Sequence, residues 1–244
     1  MTKSILVLAP LGLILMACSQ APAGVSVHDP YEAQNRAVHN FNKSLAAQFG
    51  GDSDTPSSGP RVPPDIAVHV LNVADNVALP GKVVNTLLQG DIDGASTNTV
   101  RFLVNSLFGV FGIWDPADAI GLMEVDTDFG QTLAVWGAPE GAYLELPLIG
   151  PSTERDAAGR VFDIAINPLG SFLTPDQQII ATVSTIAGRI VKIDQAGDVI
   201  GDVLSESADS YKQAQLIYLQ NRRFELGLDD IDAVDPYDEL FGEP

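Results

Sequence analysis

Val100-Arg-Phe-Leu-Val-Asn-Ser-Leu-Phe-Gly-Val-Phe-Gly-Ile-Trp-Asp-Pro-Ala-Asp-Ala-Ile-Gly-Leu-Met123 is the stretch on which the fold turns. Between Phe102 and Trp114 the only polar side chains are Asn105 and Ser106. Apolar residues cover nearly every angle of a helix here, so no single face is polar. A helix of that kind is buried on all sides or lies partly in lipid. Gly109, Gly112 and Asp115-Pro116 interrupt it, which argues against a continuous spanning helix of about 20 residues. Two readings stand: a buried core helix followed by a tight turn, or a helix-turn unit dipping into one leaflet. In the second, Phe102, Leu103, Leu107, Phe108, Phe111 and Trp114 are the candidate membrane-embedded residues, and Asn105 and Ser106 turn inward.

Helix signals lie on both sides of this stretch. Upstream, Asp29-Pro30-Tyr31-Glu32 reads as N-cap, Pro at N1 and an acid at N3. Tyr31, Val38, Phe41, Leu45 and Phe49 follow at roughly helical spacing. Residues 50–64 read as a Gly/Ser/Pro loop. Asp65 caps a second segment with Ile66, Val70, Val73 and Val77 on one face, which Pro80 and Gly81 break. A short piece, Lys82 to Gln89, ends at Gly90, and another helix runs from about Gly94 to Phe108. Downstream, Asp126 to Trp136 and Thr153 to Ile166 are helix candidates, and Tyr143 to Ile149 looks extended. Thr174-Pro175-Asp176-Gln177 is a capping signature before a stripe of Ile179, Val183, Ile186, Ile190 and Ile193. Ser205 to Leu226 forms the last helix. Residues 229–244 hold seven acids and no base and read as a solvated tail. The fold class is mainly α, built from broken amphipathic helices with little strand.

The N-terminus says where this domain works. Met1-Thr2-Lys3 is a short positive start, and Ile5 to Ala17 is almost wholly apolar up to Leu15-Met16-Ala17-Cys18. A charged start, a short apolar run and small residues before a cut mark a secretory signal peptide. Leu-x-Ala-Cys looks like a bacterial lipobox, in which Cys18 receives the lipid. Two or more acyl chains anchor stably, because each buried CH₂ contributes about 0.8 kcal/mol. Residues 1–17 are thus the signal peptide and 18–28 the lipidated cysteine and tether. By the lipoprotein trafficking rule, Ser19 in place of Asp favours the outer membrane.

Composition excludes several functions. The whole chain carries −19, and losing Lys3 with the signal peptide leaves −20. That charge argues against nucleic acid, whose binding rests on Lys and Arg neutralising phosphates. Cys18 is the only cysteine, so disulfides are excluded. At 45% hydrophobic content, the chain has a large core, a membrane-facing surface or both. No nucleophile elbow, phosphate loop or dinucleotide fingerprint is present. His28, His39 and His69 are isolated and read as partly exposed, and none sits in a metal-ligand motif. No catalytic, metal or cofactor site is therefore expected. Arg155-Asp156 is a candidate structural ion pair.

In order along the chain stand Asp29-Pro30-Tyr31-Glu32 with Asn35-Arg36, Asn40-Phe41-Asn42, Leu88-Gln89-Gly90-Asp91, and Arg101-Phe102 with Asn105. Then come Phe129-Gly130-Gln131-Thr132-Leu133, Gly137, Gly141 to Gly150, Arg155-Asp156, and Tyr211 to Arg223. This ordered set resembles the MlaA (VacJ) family of outer-membrane lipoproteins over residues 29–226, with 227–244 left as the acidic tail. The resemblance implies a single ring-like helical domain in the inner leaflet of the outer membrane, with an amphipathic channel. It implies removal of misplaced phospholipid from the outer leaflet and delivery to a periplasmic carrier, usually beside a trimeric porin. It also implies that Asn40, Phe41 and Asn42 help hold the channel's resting state. The rival readings are a structural envelope lipoprotein and, behind it, a phospholipase-type hydrolase.

Overall fold

A computed structural model describes residues 27–49, 63–169, 173–188, 191 and 209–228. Cys18, most of the 50–64 loop, Ile190, Ile193, Ser205 and the 229–244 tail lie outside the described residues. The described chain is mainly helical, with one two-stranded antiparallel sheet.

Helix α1 is Glu32–Phe49. It starts later than the capping signature predicts. Asp29 is engaged elsewhere, accepting from Asn35, from the Tyr211 hydroxyl at 2.5 Å and from Gln215 at 2.8 Å. The apolar spacing also misleads here. Phe41 and Tyr31 are exposed, while Asn35 and His39 are buried. The polar residues pack because they have strand edges to satisfy. Strand β1 (Tyr143–Leu146) pairs with β2 (Gly150–Thr153) on one side only. Its other edge is taken by side-chain amides of α1. Asn35 receives the Glu145 N–H and donates to Tyr143 O, at 2.9 and 3.0 Å. Asn42 receives the Leu148 N–H and donates to Leu146 O, at 2.8 and 3.0 Å. His39, one turn from Asn35, stands 3.5 Å from the Glu145 carboxylate and is buried, not partly exposed.

Helix α2 is Pro64–Gln89 and runs unbroken through Pro80. The break expected at Pro80-Gly81 does not occur. An internal proline costs about 3 kcal/mol, but buried residues lie on both sides of it: Ala74, Asn76 and Leu79 before, Asn85 and Thr86 after. Tertiary packing of both halves outweighs the local cost. Asp65 sits in the first turn behind Pro63 and does not cap. Gly90, at φ +80°, ends the helix, and Asp91 caps α3 (Ile92–Leu107) through Gly94 N–H at 2.8 Å. Helices α2 and α3 thus form a hairpin.

Beyond it lie α4 (Pro116–Ala119), α5 (Phe129–Val135, capped by Asp128) and α6 (Glu154–Ile166, capped by Thr153). Residues 175–188 are helical. Thr174 and Gln177 exchange the two bonds of a capping box, at 2.9 and 3.4 Å. Helix α7 is Ser210–Glu225, capped by Asp209. Two small apolar clusters hold these parts. Phe129, Leu133 and Ala138 pack with Phe162, and Tyr143, Tyr211 and Leu219 pack with Val27 and Tyr218. Among the described residues, buried side chains are more often polar or charged than apolar, while many large apolar ones are exposed. That inverts the usual soluble pattern.

Candidate lipid-facing site

Helix α3 carries the inversion most clearly. Asn98, Arg101 and Asn105 are buried, and Val100, Leu103, Leu107 and Phe108 are exposed. A polar face therefore exists, contrary to the reading from Phe102 onward. It extends upstream of that window and turns into the protein. Phe102 and Ser106 are half-buried.

The chain then reverses. Phe108 is 76% exposed, Phe111 79% and Trp114 54%. Val110 and Phe111 are left-handed, at φ 51° and 57°. Such residues cost about 1–3 kcal/mol each and persist only where the surroundings over-determine them. Here the surroundings do so. Within the turn, Phe111 N–H donates to Ser106 O, Gly112 N–H to Asn105 O and Trp114 N–H to Gly109 O, at 3.0–3.1 Å. A Cβ at Gly109 would lie 2.2 Å from Trp114 O, and one at Gly112 would lie 2.5 Å from the Asn76 Cβ. Both positions need glycine for close approach.

Helix α2 supplies the remaining partners from one face. The His69 Nδ1 and Asn72 Nδ2 both reach Ile113 O, at 2.9 and 3.2 Å. Because that oxygen only accepts, Nδ1 carries the ring proton in this arrangement. Asn76 donates to Phe111 O at 3.3 Å and to the Ser106 hydroxyl at 3.2 Å. The exposed turn thus bonds its Phe111 and Ile113 carbonyls inward while its aromatics face out. Asn105 accepts from Ala117 N–H at 3.1 Å, and Asp115 caps α4 while pairing with Arg101 at 2.6 Å.

The extended segment 121–128 is held to the hairpin's inner side by side chains. Arg101 donates to Leu122 O. Asn98 donates to Val125 O at 2.9 Å and accepts its N–H at 3.0 Å. Gln89 reaches the Thr127 and Thr132 hydroxyls, at 2.7 and 2.9 Å, and Lys82 pairs with Glu124 and Asp126. Asn98→Ala leaves both Val125 groups unmatched, at about 1–3 kcal/mol for each group shut off from water. An unchanged urea midpoint would show that this segment is not held through Asn98.

A charged cluster joins α5, α6 and α7. Asp156 accepts from Arg222 Nε and Nη2 at 3.2 and 3.1 Å and from the Tyr218 hydroxyl at 2.5 Å. Arg222 also donates to both oxygens of Asp128, at 2.7 and 2.9 Å. Arg155 and Asp156, the candidate ion pair, stand 3.6 Å apart and are both buried. Arg155 Nε and Nη2 have no hydrogen-bond partner among the described residues. Burial alone opposes ionisation of Asp156, but Arg222, the Tyr218 hydroxyl and Arg155 outweigh it and hold the carboxyl below the usual range. Asp163 goes the other way. Burial pushes its carboxyl up against the Asn85 and Phe129 N–H bonds that pull it down.

The sequence reading brings forward the turn and Arg155-Asp156, and the structure adds their partners. Asn72, Asn76, Asn98, Tyr218 and Asp128 were not singled out, His69 reads only as an isolated histidine, and Arg222 only as part of the last helix. For α2 a signal was present in the helical spacing of His69, Asn72 and Asn76. For Arg222 there was none, since its partners lie 66 and 94 residues away in the chain. Asn40 and Phe41 are exposed, and Asn42 is bound to the β1–β2 turn. Among the described residues, no cluster of potential ligands is arranged for a metal, and no helix is long and apolar enough to cross a membrane.

A family model described as MlaA lipoprotein matches residues 27–225. The chain belongs to the MlaA lipoprotein family. Its match to an uncharacterized protein of Rickettsia prowazekii is 35% identical over 68% of this chain and 67% of that one. Two relatives are named intermembrane phospholipid transport system lipoprotein MlaA. The Haemophilus influenzae protein is 25% identical over 92% of this chain and 91% of its own. The Escherichia coli K12 protein is 29% identical over 80% and 77%. A solved structure from work on the structural basis for maintenance of bacterial outer membrane lipid asymmetry superposes with a TM-score of 0.66. It is 27% identical and covers 81% of this chain and 98% of that one. MlaA proteins are a transport lipoprotein family, and this member shares their mainly helical fold.

Proposed function

We propose that this MlaA-family protein is anchored through Cys18 to the periplasmic side of the Gram-negative outer membrane. There it takes misplaced phospholipid from the outer leaflet and hands it to a periplasmic phospholipid carrier. A trimeric porin is the proposed neighbour in the membrane. The observation that supports this reading most is the inverted α2–α3 hairpin. Its turn exposes Phe108, Phe111 and Trp114 while the Phe111 and Ile113 carbonyls bond inward to α2 and those of Asn105, Ser106 and Gly109 accept from the turn's own N–H groups. Such a surface suits hydrocarbon, where unpaired polar groups cost several kcal/mol each. Leu103 and Leu107 extend the same surface with Phe102 half-buried beside them, and transport of intact lipid needs no bond broken.

The deciding experiment measures outer-leaflet phospholipid in a strain lacking the gene. The expected result is accumulation, reversed by the wild-type protein and not by Cys18→Ser. Unchanged outer-leaflet phospholipid would overturn the reading. Asn40, Phe41 and Asn42 are proposed to help hold the resting state, and one contact supports this. Asn42 clamps the β1–β2 turn through Leu146 and Leu148. Deleting Asn40 and Phe41 rotates the following residues by about 200° and carries Asn42 off that turn. The expected phenotype is deregulated lipid flow, stronger than and distinct from the null in outer-leaflet phospholipid and detergent sensitivity. A phenotype identical to the null makes the segment merely structural.

A further inference from the structure

Where α2 turns into α3, their outward sides enclose an open groove of about 350 Å³. Val83 and Leu87 form one wall, and Ile92, Ala95, Thr99 and Val100 the other. No charged side chain lines it. The lining is mostly apolar: the Thr99 hydroxyl is spent on Ala95 O at 2.7 Å, which leaves Ser96 as its polar side chain. Leu87, Ile92 and Val100 remain about half exposed or more, at 52%, 62% and 46%. The opposite faces of the same helices carry the bonded polar interior: Asn85, Thr86 and Asn98.

We infer that this groove seats one acyl chain of a free phospholipid, an inference that rests on the membrane-embedded reading above. Ile92, Ser96, Thr99, Leu103 and Leu107 follow at steps of three and four, so groove and turn lie along one stripe of α3. If the turn is in hydrocarbon, so is the groove. A convex apolar face is covered by whatever chains pass it. A concave one is filled by a chain or left as a void, and a void forfeits the contacts of its whole lining. The guest must be apolar along its length. A peptide would bring a row of N–H and C=O groups that the one Ser96 hydroxyl cannot match. An acyl chain brings none.

The test uses the full lipidated protein in vesicles of phosphatidylethanolamine and phosphatidylglycerol. A trace of phosphatidylcholine bearing a diazirine in its acyl chain is added, irradiated, and its adducts mapped by mass spectrometry. Adducts on residues 83–100 are expected at several times the level on Ile164, an 82% exposed apolar residue outside the groove. Ser96 is exposed on the groove, and Ser96→Phe fills it without entering the core. It should lower groove adducts several-fold and leave those at Phe108 and Phe111 unchanged. Thr99→Phe serves if Ser96→Phe fails to fold by circular dichroism. Adducts at the turn with groove levels no higher than Ile164 would overturn the inference and leave the transport reading standing. Equal groove labelling in the folded filled variants would overturn it too. Groove labelling that emerges only with Cys18→Ser would assign the seat to the protein's own anchor, against the inference. A deletion strain with normal outer-leaflet phospholipid would overturn the transport reading while groove adducts, if found, still stand.

Discussion

Asp156→Ala should destabilise the fold by about 3–5 kcal/mol, the usual cost of stripping one partner from a buried charge pair. The carboxylate is buried and serves Arg222 twice, Tyr218 once and Arg155 at 3.6 Å. Removing it strips Arg155 of the carboxylate 3.6 Å away and leaves Arg222 with Asp128 and Glu225 only. Tyr218→Phe removes one hydroxyl from the same network and should cost less, about 1–2 kcal/mol. Urea melts of the detergent-solubilised protein separate the two. The pH dependence gives an independent check with a fixed sign. Because the folded carboxyl is held below its usual range, its contribution is fully present above the unfolded value of about 3.9. It is lost as pH falls through the folded value. The gap between wild type and Asp156→Ala should therefore be constant near neutrality and shrink in acid. Asp163 has the opposite shift, so its own contribution is lost as pH rises through its folded value. A gap between the two proteins that stays constant from pH 7 to pH 3 would show that Asp156 does not act through its charge.

Phe108→Asp and Phe111→Asp should each weaken seating in the membrane far more than they weaken the fold. Both side chains are more than three-quarters exposed, so no protein packing is lost. In lipid each phenylalanine contributes about 1.5–3 kcal/mol. The loss of one should lower vesicle partitioning by at least tenfold, since about 1.4 kcal/mol is a factor of ten. The measurement belongs on a Cys18→Ser background, where the anchor does not mask the difference, with melting temperature as the control. Spin labels at 108 and 111 report the environment directly. Water accessibility like that of a soluble loop would place the turn outside lipid. Shielding from both water and lipid would make it a buried core turn.

Much of the helical layout was legible in the sequence because it is local. Gly90 stops α2 and Thr174 and Gln177 close a capping box, both as read, whereas the caps Asp91 of α3 and Asp209 of α7 were not read. The apolar run from Phe102 to Trp114 was equally visible, since exposed aromatics there need no distant partner. Two local rules misled. Pro80 lies within an unbroken helix because residues on both sides of it are buried against other elements. Helix α1 packs through Asn35 and His39, not Phe41, because the free edge of β1 offers backbone groups only amides can match. Which polar residues face inward was a tertiary decision. Asn98 finds Val125, Asn76 finds Phe111, and Arg222 finds Asp128 and Asp156 only when separate segments meet. Periodicity tells that a helix has two faces. In a protein whose outside is apolar, only the partners waiting on each side determine which face is the interior, because a buried amide or charge is stable only where its bonds are completed.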